Sequence, residues 1–122
     1  MYEITFRPAI DLIDIKWSGA FSPDIVATYA REVYAGFTSH KFSPGYLLRI
    51  DMSESAVQPQ DAVVAFGEMF DGFPKASRIA IVTPSRLARM QVQRVMTQPY
   101  LRVFDRAEPA LAWLTDRQTC LA

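Results

Sequence analysis

The chain has 122 residues, half of them hydrophobic, with 13 basic and 13 acidic residues and a formal net charge of zero. That length fits one domain burying roughly two-thirds of its unfolded surface, so no disulfide framework or structural metal is needed to hold a core. A neutral chain without a basic-aromatic motif argues against nucleic-acid binding, and the single cysteine, Cys120, excludes an intrachain disulfide.

Residues 3–7, EITFR, alternate polar and apolar as a half-buried strand does, and Pro8 opens a very short connection. Residues 10–17, IDLIDIKW, alternate again. A shift of phase near Leu12-Ile13 predicts either a bulge or a strand covered on both faces. Two strands this close in sequence predict an antiparallel pair. Ser22-Pro23-Asp24 then starts a helix: the serine caps free N–H groups, proline suits the first helical position, and the aspartate favours the positive end of the dipole. Ile25, Tyr29, Val33 and Phe37 follow at helical spacing, with Gly36 as the predicted stop.

After the connector TSHKFSPGY, YLLRI (46–50) reads as a strand, 51–58 as a loop, and Pro59 to about Phe70 as a helix. Asp71-Gly72-Phe73-Pro74 breaks that helix. RIAIV (78–82) is continuously apolar, as a strand in the middle of a parallel sheet should be. Thr83-Pro84-Ser85 starts a helix running to about Thr97, LRVF (101–104) is the last strand, and Asp105 to about Thr115 the last helix. Asp105 and Glu108 have the spacing of a capping box, with Pro109 as a competing start signal.

The order β-β-α-β-α-β-α-β-α predicts an α/β fold: a single domain over residues 1–122, with four parallel strands and one antiparallel edge strand. Each β-α-β step takes a right-handed crossover.

LLRIDMSE, RIAIVTPSRLARMQ and VFDRAEPALAWL, which together span most of residues 46–114, resemble the STAS superfamily. They are closest to its small stand-alone bacterial branch, the anti-sigma-factor-antagonist-like proteins. The resemblance implies a STAS-like fold and a regulatory role. In the antagonists proper, an Asp-apolar-Ser strand end is followed by Asp-Ser-Ser-Gly or Asp-Ser-Thr-Gly, whose serine is phosphorylated by a partner kinase. Asp51-Met52-Ser53 is similar to the first part; the following ESAVQPQDAV holds neither motif and no glycine.

Two constellations are candidate recognition sites. Asp51, Ser53, Glu54 and Ser55 form a candidate recognition loop. Phosphate on either serine would be favoured near a helix start but opposed by Asp51, Glu54 and Asp61. The commoner role of such serines is to cap backbone groups in a turn. Thr83, Ser85, Arg86 and Arg89 form a candidate anion or ligand site at a helix N-terminus, where ordinary capping is again the commoner role. On that helix, Arg86, Arg89, Met90, Gln93 and Thr97 share a face, leaving Ala88, Val92, Val95 and Met96 partly inward. The aromatic-rich stretch Phe66, Met69, Phe70 and Phe73 is expected in the core or a dimer interface, an apolar ligand pocket beside it being the alternative.

Catalytic residues are not expected. His40, the one histidine, sits in a connector, and Cys120 lacks the basic surroundings that lower a thiol pKa. Metal and cofactor motifs are absent from the sequence, so neither a metal nor a cofactor is expected. No apolar run reaches the roughly 20 residues of a membrane span, and the start lacks the pattern of a signal peptide. Charge is nonetheless segregated: residues 1–71 hold ten acids and five bases, and residues 72–104 hold six bases and no acid. Such asymmetry can steer a partner or make self-association complementary. The expectation is therefore a non-enzymatic cytoplasmic interaction or regulatory module, acting on an unknown protein partner or on itself as a homodimer. A binder of an anionic or lipid-like small molecule is the alternative.

Overall fold

Alternating runs that bury one side of each strand build the first ladder. Tyr2–Arg7 (β1) and Leu12–Gly19 (β2) pair antiparallel, with Tyr2 opposite Trp17 and Arg7 opposite Leu12. Between them lies a single 3-10 turn, Pro8–Ile10, closed by Asp11 in the left-handed region (φ 57°). The computed structural model describes residues 2–55 and 58–116. The remaining strands are Leu47–Ser55 (β3), Arg78–Val82 (β4) and Leu101–Phe104 (β5), and the helices are Pro23–Ser39 (α1), Gln60–Gly72 (α2), Arg86–Val95 (α3) and Ala107–Leu114 (α4).

The sheet order is β1-β2-β3-β4-β5, with β2 to β5 parallel. Because each parallel strand is added on the same side of the last, right-handed crossovers send α1, α2 and α3 over one face. The large apolar cluster lies there: Ile13, Ile15, Trp17, Leu48, Ile50, Met52, Ile79 and Ile81 from the strands meet Tyr29, Phe37, Phe66 and Val92 from the helices. The Trp17 and Phe66 rings stack at 4.4 Å, and Tyr29 sets its edge against both. α4 lies on the other face and buries Ala110 and Leu114 on Leu12, Ala80 and Val82. Leu12 and Ile13 are each fully buried, on opposite faces. The phase shift between them thus marks a strand covered on both sides. The irregularity in β2 comes later, between Lys16 and Ser18.

At the margin of α4 the sheet face turns polar. Arg49 donates through Nε and Nη2 to the two oxygens of Asp14, at 2.9 and 2.6 Å, and through Nη1 to the Ala107 carbonyl at 3.1 Å. One guanidinium thus fastens β2, β3 and the first residue of α4 together. Trp113 anchors the rest of α4 between the guanidinium groups of Arg78 and Arg102, 5.1 and 5.3 Å from its ring.

The structure corrects several boundaries. β3 runs on to Ser55, so Asp51, Ser53, Glu54 and Ser55 belong to a strand end and not to a loop. The extra residues pair with the end of β2, Glu54 opposite Ser18 and Ser55 opposite Gly19. α3 stops at Val95, short of Thr97. The box expected from Asp105 and Glu108 does not form: Arg106 occupies the cap position of α4 with no side-chain bond.

Gly36 does not stop α1, which continues to Ser39. It is instead a site of close approach, where a methyl group would overlap the ring of Phe6. That ring is held by stacking on His40 at 4.7 Å and by the edge contact with Phe42. Gly36→Ala is expected to destabilise the fold by about 1–3 kcal/mol despite alanine's better helix propensity. Urea unfolding checks this, and a Phe6→Ala background should remove most of the penalty.

Candidate functional site

The C-terminal ends of the parallel strands share one rim, where the segments leading into α1, α2 and α3 begin. In open α/β sheets ligands settle at such a rim, in the crevice where strand order reverses. Here the order never reverses, so the rim has no crevice of that origin.

A buried glutamine organises the rim. Gln58 accepts at Oε1 from the Phe21 N–H at 2.8 Å. Its Nε2 donates to the Gly19 carbonyl at 3.2 Å and to the Ser55 hydroxyl oxygen at 2.8 Å. The Ser55 hydroxyl donates in turn to the Gly19 carbonyl at 2.9 Å. On its backbone side, the Gln58 N–H donates to Gln91 Oε1 at 3.0 Å, and Gln91 Nε2 donates to the Gln58 carbonyl at 2.8 Å. The ends of β2 and β3, the approach to α1 and the middle of α3 therefore meet at one residue, 6% exposed. Neither Gln58 nor Gln91 stands out in the sequence, because glutamines beside a proline or on an amphipathic helix carry no pattern of their own.

The residues singled out from sequence are arranged around this knot. Ser53 is exposed and donates its hydroxyl to Asp51 Oδ1 at 2.6 Å, while its backbone N–H donates to the same oxygen at 2.9 Å. Glu54 pairs with Lys16 at 2.6 Å, and that hydrogen bond raises the lysine pKa. Thr83 is buried and accepts at Oγ1 from the Ser85 N–H at 3.2 Å. Ser85 caps α3 by accepting from the Ala88 N–H at 3.2 Å. Arg89 turns to Asp105 at 3.1 Å, and Arg86 is exposed. The structure thus gathers Asp51 with Ser53, and Ser55 with Gln58, but directs Arg89 away from Ser85 towards the end of β5.

Beside these groups, α3 presents apolar surface. Leu87 and Met90 are 62% and 55% exposed. They fall on one helical stripe with Arg94, next to Arg86. The opposite side buries Ala88 and Val92 as expected. Between α2, α3 and the sheet lies an apolar cavity of about 40 Å³, lined among others by Trp17, Met52, Phe66, Val92 and Met96. That is far below the roughly 300–1,000 Å³ of a typical small-molecule site. Of the aromatic residues on and just after α2, Phe66 joins Trp17 in the core, and Phe73 meets Phe37 and Tyr46.

Among the described residues no group of three or more His, Cys, Asp or Glu side chains could hold a metal ion. No described helix is long and apolar enough to cross a membrane. His40 is exposed, with Nδ1 3.0 Å from the Gly36 carbonyl, and Cys120 lies outside the described residues.

Gln58→Ala should leave buried partners at Phe21, Gly19 and Ser55 without it and cost about 1–3 kcal/mol. Gln58→Glu should be worse above pH ~4, because a carboxylate faces the Gly19 carbonyl. Burial and that neighbour raise the folded pKa of the new acid, so the unfolded chain releases its proton first and stability falls as pH rises. Denaturant titrations at two pH values check both variants.

The family model described as SpoIIAA-like matches residues 12–115. No curated protein matches the sequence. A similar solved structure is an uncharacterised protein with a SpoIIAA-like fold from Shewanella loihica PV-4. It is 16% identical, with a TM-score of 0.72 over 93% of each chain. Another is an anti-sigma factor antagonist from Mycobacterium paratuberculosis, 13% identical, with a TM-score of 0.67 over 95% of this chain and 96% of that one.

Proposed function

The chain belongs to the SpoIIAA-like family, and on that premise we propose that it is a non-enzymatic regulatory module that binds a protein partner through the sheet rim and α3. The observation that carries this reading is the exposed Leu87–Met90 stripe beside Arg86, on a helix whose other side is fully committed to the core. Met and Arg are enriched at protein interfaces, and an exposed apolar stripe rimmed by charge is the usual form of a docking surface. Gln91 ties α3 to the Gln58 backbone by two hydrogen bonds, and Ser85 caps the start of the helix at the Ala88 N–H, so the surface is held before a partner arrives. Rigidity lowers the ordering cost of association.

A phosphoserine switch of the antagonist kind finds little support in these groups. Ser53 directs its proton to Asp51, and a phosphate there would sit beside that carboxylate and Glu54. Ser55 spends its hydroxyl on Gly19. The regulation we propose is therefore by occupancy of the surface and not by phosphate at either serine. A small-molecule role is less well supported, since the apolar cavity beside α2 holds about 40 Å³.

Affinity purification from the native cell tests the proposal. A protein partner in fixed proportion should accompany the wild type and fall away from Leu87→Asp, with the circular dichroism of the variant unchanged. Intact mass should show no phosphate on Ser53 or Ser55. Retention of one small molecule without any protein would support the alternative.

A further inference from the structure

Among the described residues the sheet ends at β1 with no further strand paired to it. Glu3, Thr5 and Arg7 are exposed on one face, while Tyr2, Ile4 and Phe6 are half-buried on the other. Natural proteins blunt a free edge with a proline, a bulge, a very short strand or charged side chains. β1 has only the charges of Glu3 and Arg7: it is six residues long, contains no proline and pairs with β2 at every residue. A shallow trough of about 490 Å³ opens between this edge and α1, lined by Tyr2, Asp24, Ile25, Thr28 and Glu32. Burial, and then the hydrogen bond to Glu32, push the Tyr2 phenol up to about 12.

We propose that the β1 edge is an interface between two copies of this chain, the two β1 strands running antiparallel about a two-fold axis at Thr5. A strand that continues a sheet must set residues of the same face opposite one another, so even residues pair with even and odd with odd. With the axis at Thr5, Glu3 faces Arg7 of the second copy and Arg7 faces its Glu3. Thr5 faces Thr5, and on the helix side Ile4 faces Phe6 twice. Opposite charges, paired threonines and apolar-aromatic pairs are each favourable across strands. Moving the axis to Ile4 sets Glu3 against Thr5, and moving it to Phe6 sets Thr5 against Arg7; neither pairs opposite charges. The charge pattern of YEITFR therefore selects one register of self-pairing. Arg7 makes a long 3.8 Å contact with Asp14 and is 44% exposed, so it has the reach to meet a glutamate across the new ladder.

This inference does not depend on the regulatory reading, and sedimentation equilibrium of the whole chain over a micromolar concentration series tests it. The wild type should self-associate, more weakly at high salt because the ion pairs are exposed. Glu3→Arg and Arg7→Glu each set like charges opposite one another at two places, and each should weaken self-association by about tenfold or more. Mixed together, the two variants are complementary and should form a heterodimer; the double swap, Glu3→Arg with Arg7→Glu, should recover the homodimer. Thr5→Arg, which sets two arginines face to face on the axis, should give a monomer with both native charges in place. It serves where a reversal unfolds the chain, as judged by circular dichroism. A wild type that stays monomeric throughout, single reversals that leave association unchanged, or a mixture that does not recover it would overturn the proposal.

Discussion

Most of what is distinctive in this structure follows from covering a five-stranded sheet with three helices on one face and one on the other. Parallel strands are ordinarily buried on both faces. Here α4, eight residues long, packs on Leu12, Ala80 and Val82, and beyond it the face carrying Glu3, Thr5, Asp14, Lys16 and Asp51 is left to solvent. Solvent on that side demands polar residues at alternate positions of β1, β2 and β3, and this is why a parallel strand such as β2 reads as alternating. It also leaves a boundary at which α4 must be fixed. Arg49 serves there, its charge balanced by Asp14 and its spare donor spent on the Ala107 carbonyl. The hydrogen bond to Asp14 raises the arginine pKa, so the clamp stays charged at any ordinary pH. Removing either partner of such a half-buried pair costs more than the pair itself contributes, because a desolvated charge is left behind.

The same topology shapes what the rim can do. A monotonic strand order forms no switch-point crevice at the C-terminal ends of the strands, and the recognition proposed there uses an exposed surface. Gln58, Gln91, Ser55 and Ser85 satisfy one another or nearby backbone groups, which steadies that surface. What remains available to a partner is chemically mixed: the exposed Ser53, the exposed Arg86, and the apolar Leu87 and Met90. A surface of that mixed kind fits the protein partner proposed for it.

Much of the architecture was legible in the sequence because two periods, 2 and 3.6, alternate cleanly. RIAIV and LRVF gave the bounds of β4 and β5, and Ser22-Pro23 gave the start of α1 through a cap that accepts from the Ile25 N–H. The errors share a physical cause: a residue's local preference was outweighed by a partner distant in sequence. Asp51 to Ser55 look like a polar loop, yet the end of β2 supplies a ladder for them. Gly36 looks like a helix stop, yet its missing side chain admits Phe6, thirty residues earlier. Asp105 looks like a cap, yet Arg89 takes its carboxylate. Gln58, at the centre of the rim, gave no signal, because its importance lies wholly in what surrounds it. The likeness to the antagonists was carried by strand and helix patterns, so it reported the fold and left the rim chemistry to be read from the structure.

The two surfaces left open by this fold lie at different places on one sheet. β1 is one edge; α3 spans the step from β4 to β5 at the other, three to four strands away, or about 14–19 Å at the usual strand spacing. A two-fold axis at β1 would continue the sheet outward from its N-terminal strand and point both α3 helices away from the junction. Self-association through the edge and recognition through α3 therefore do not compete for the same residues. A dimer so formed would carry two copies of the docking surface, and a partner that is itself dimeric could then gain affinity by engaging both at once, without any new contact. The rigid ladder between the two surfaces matters to that gain, because effective concentration is highest when the spacing of the sites is fixed and matched. The uncovered edge and the exposed α3 stripe then follow from one arrangement, a sheet that grows in a single direction.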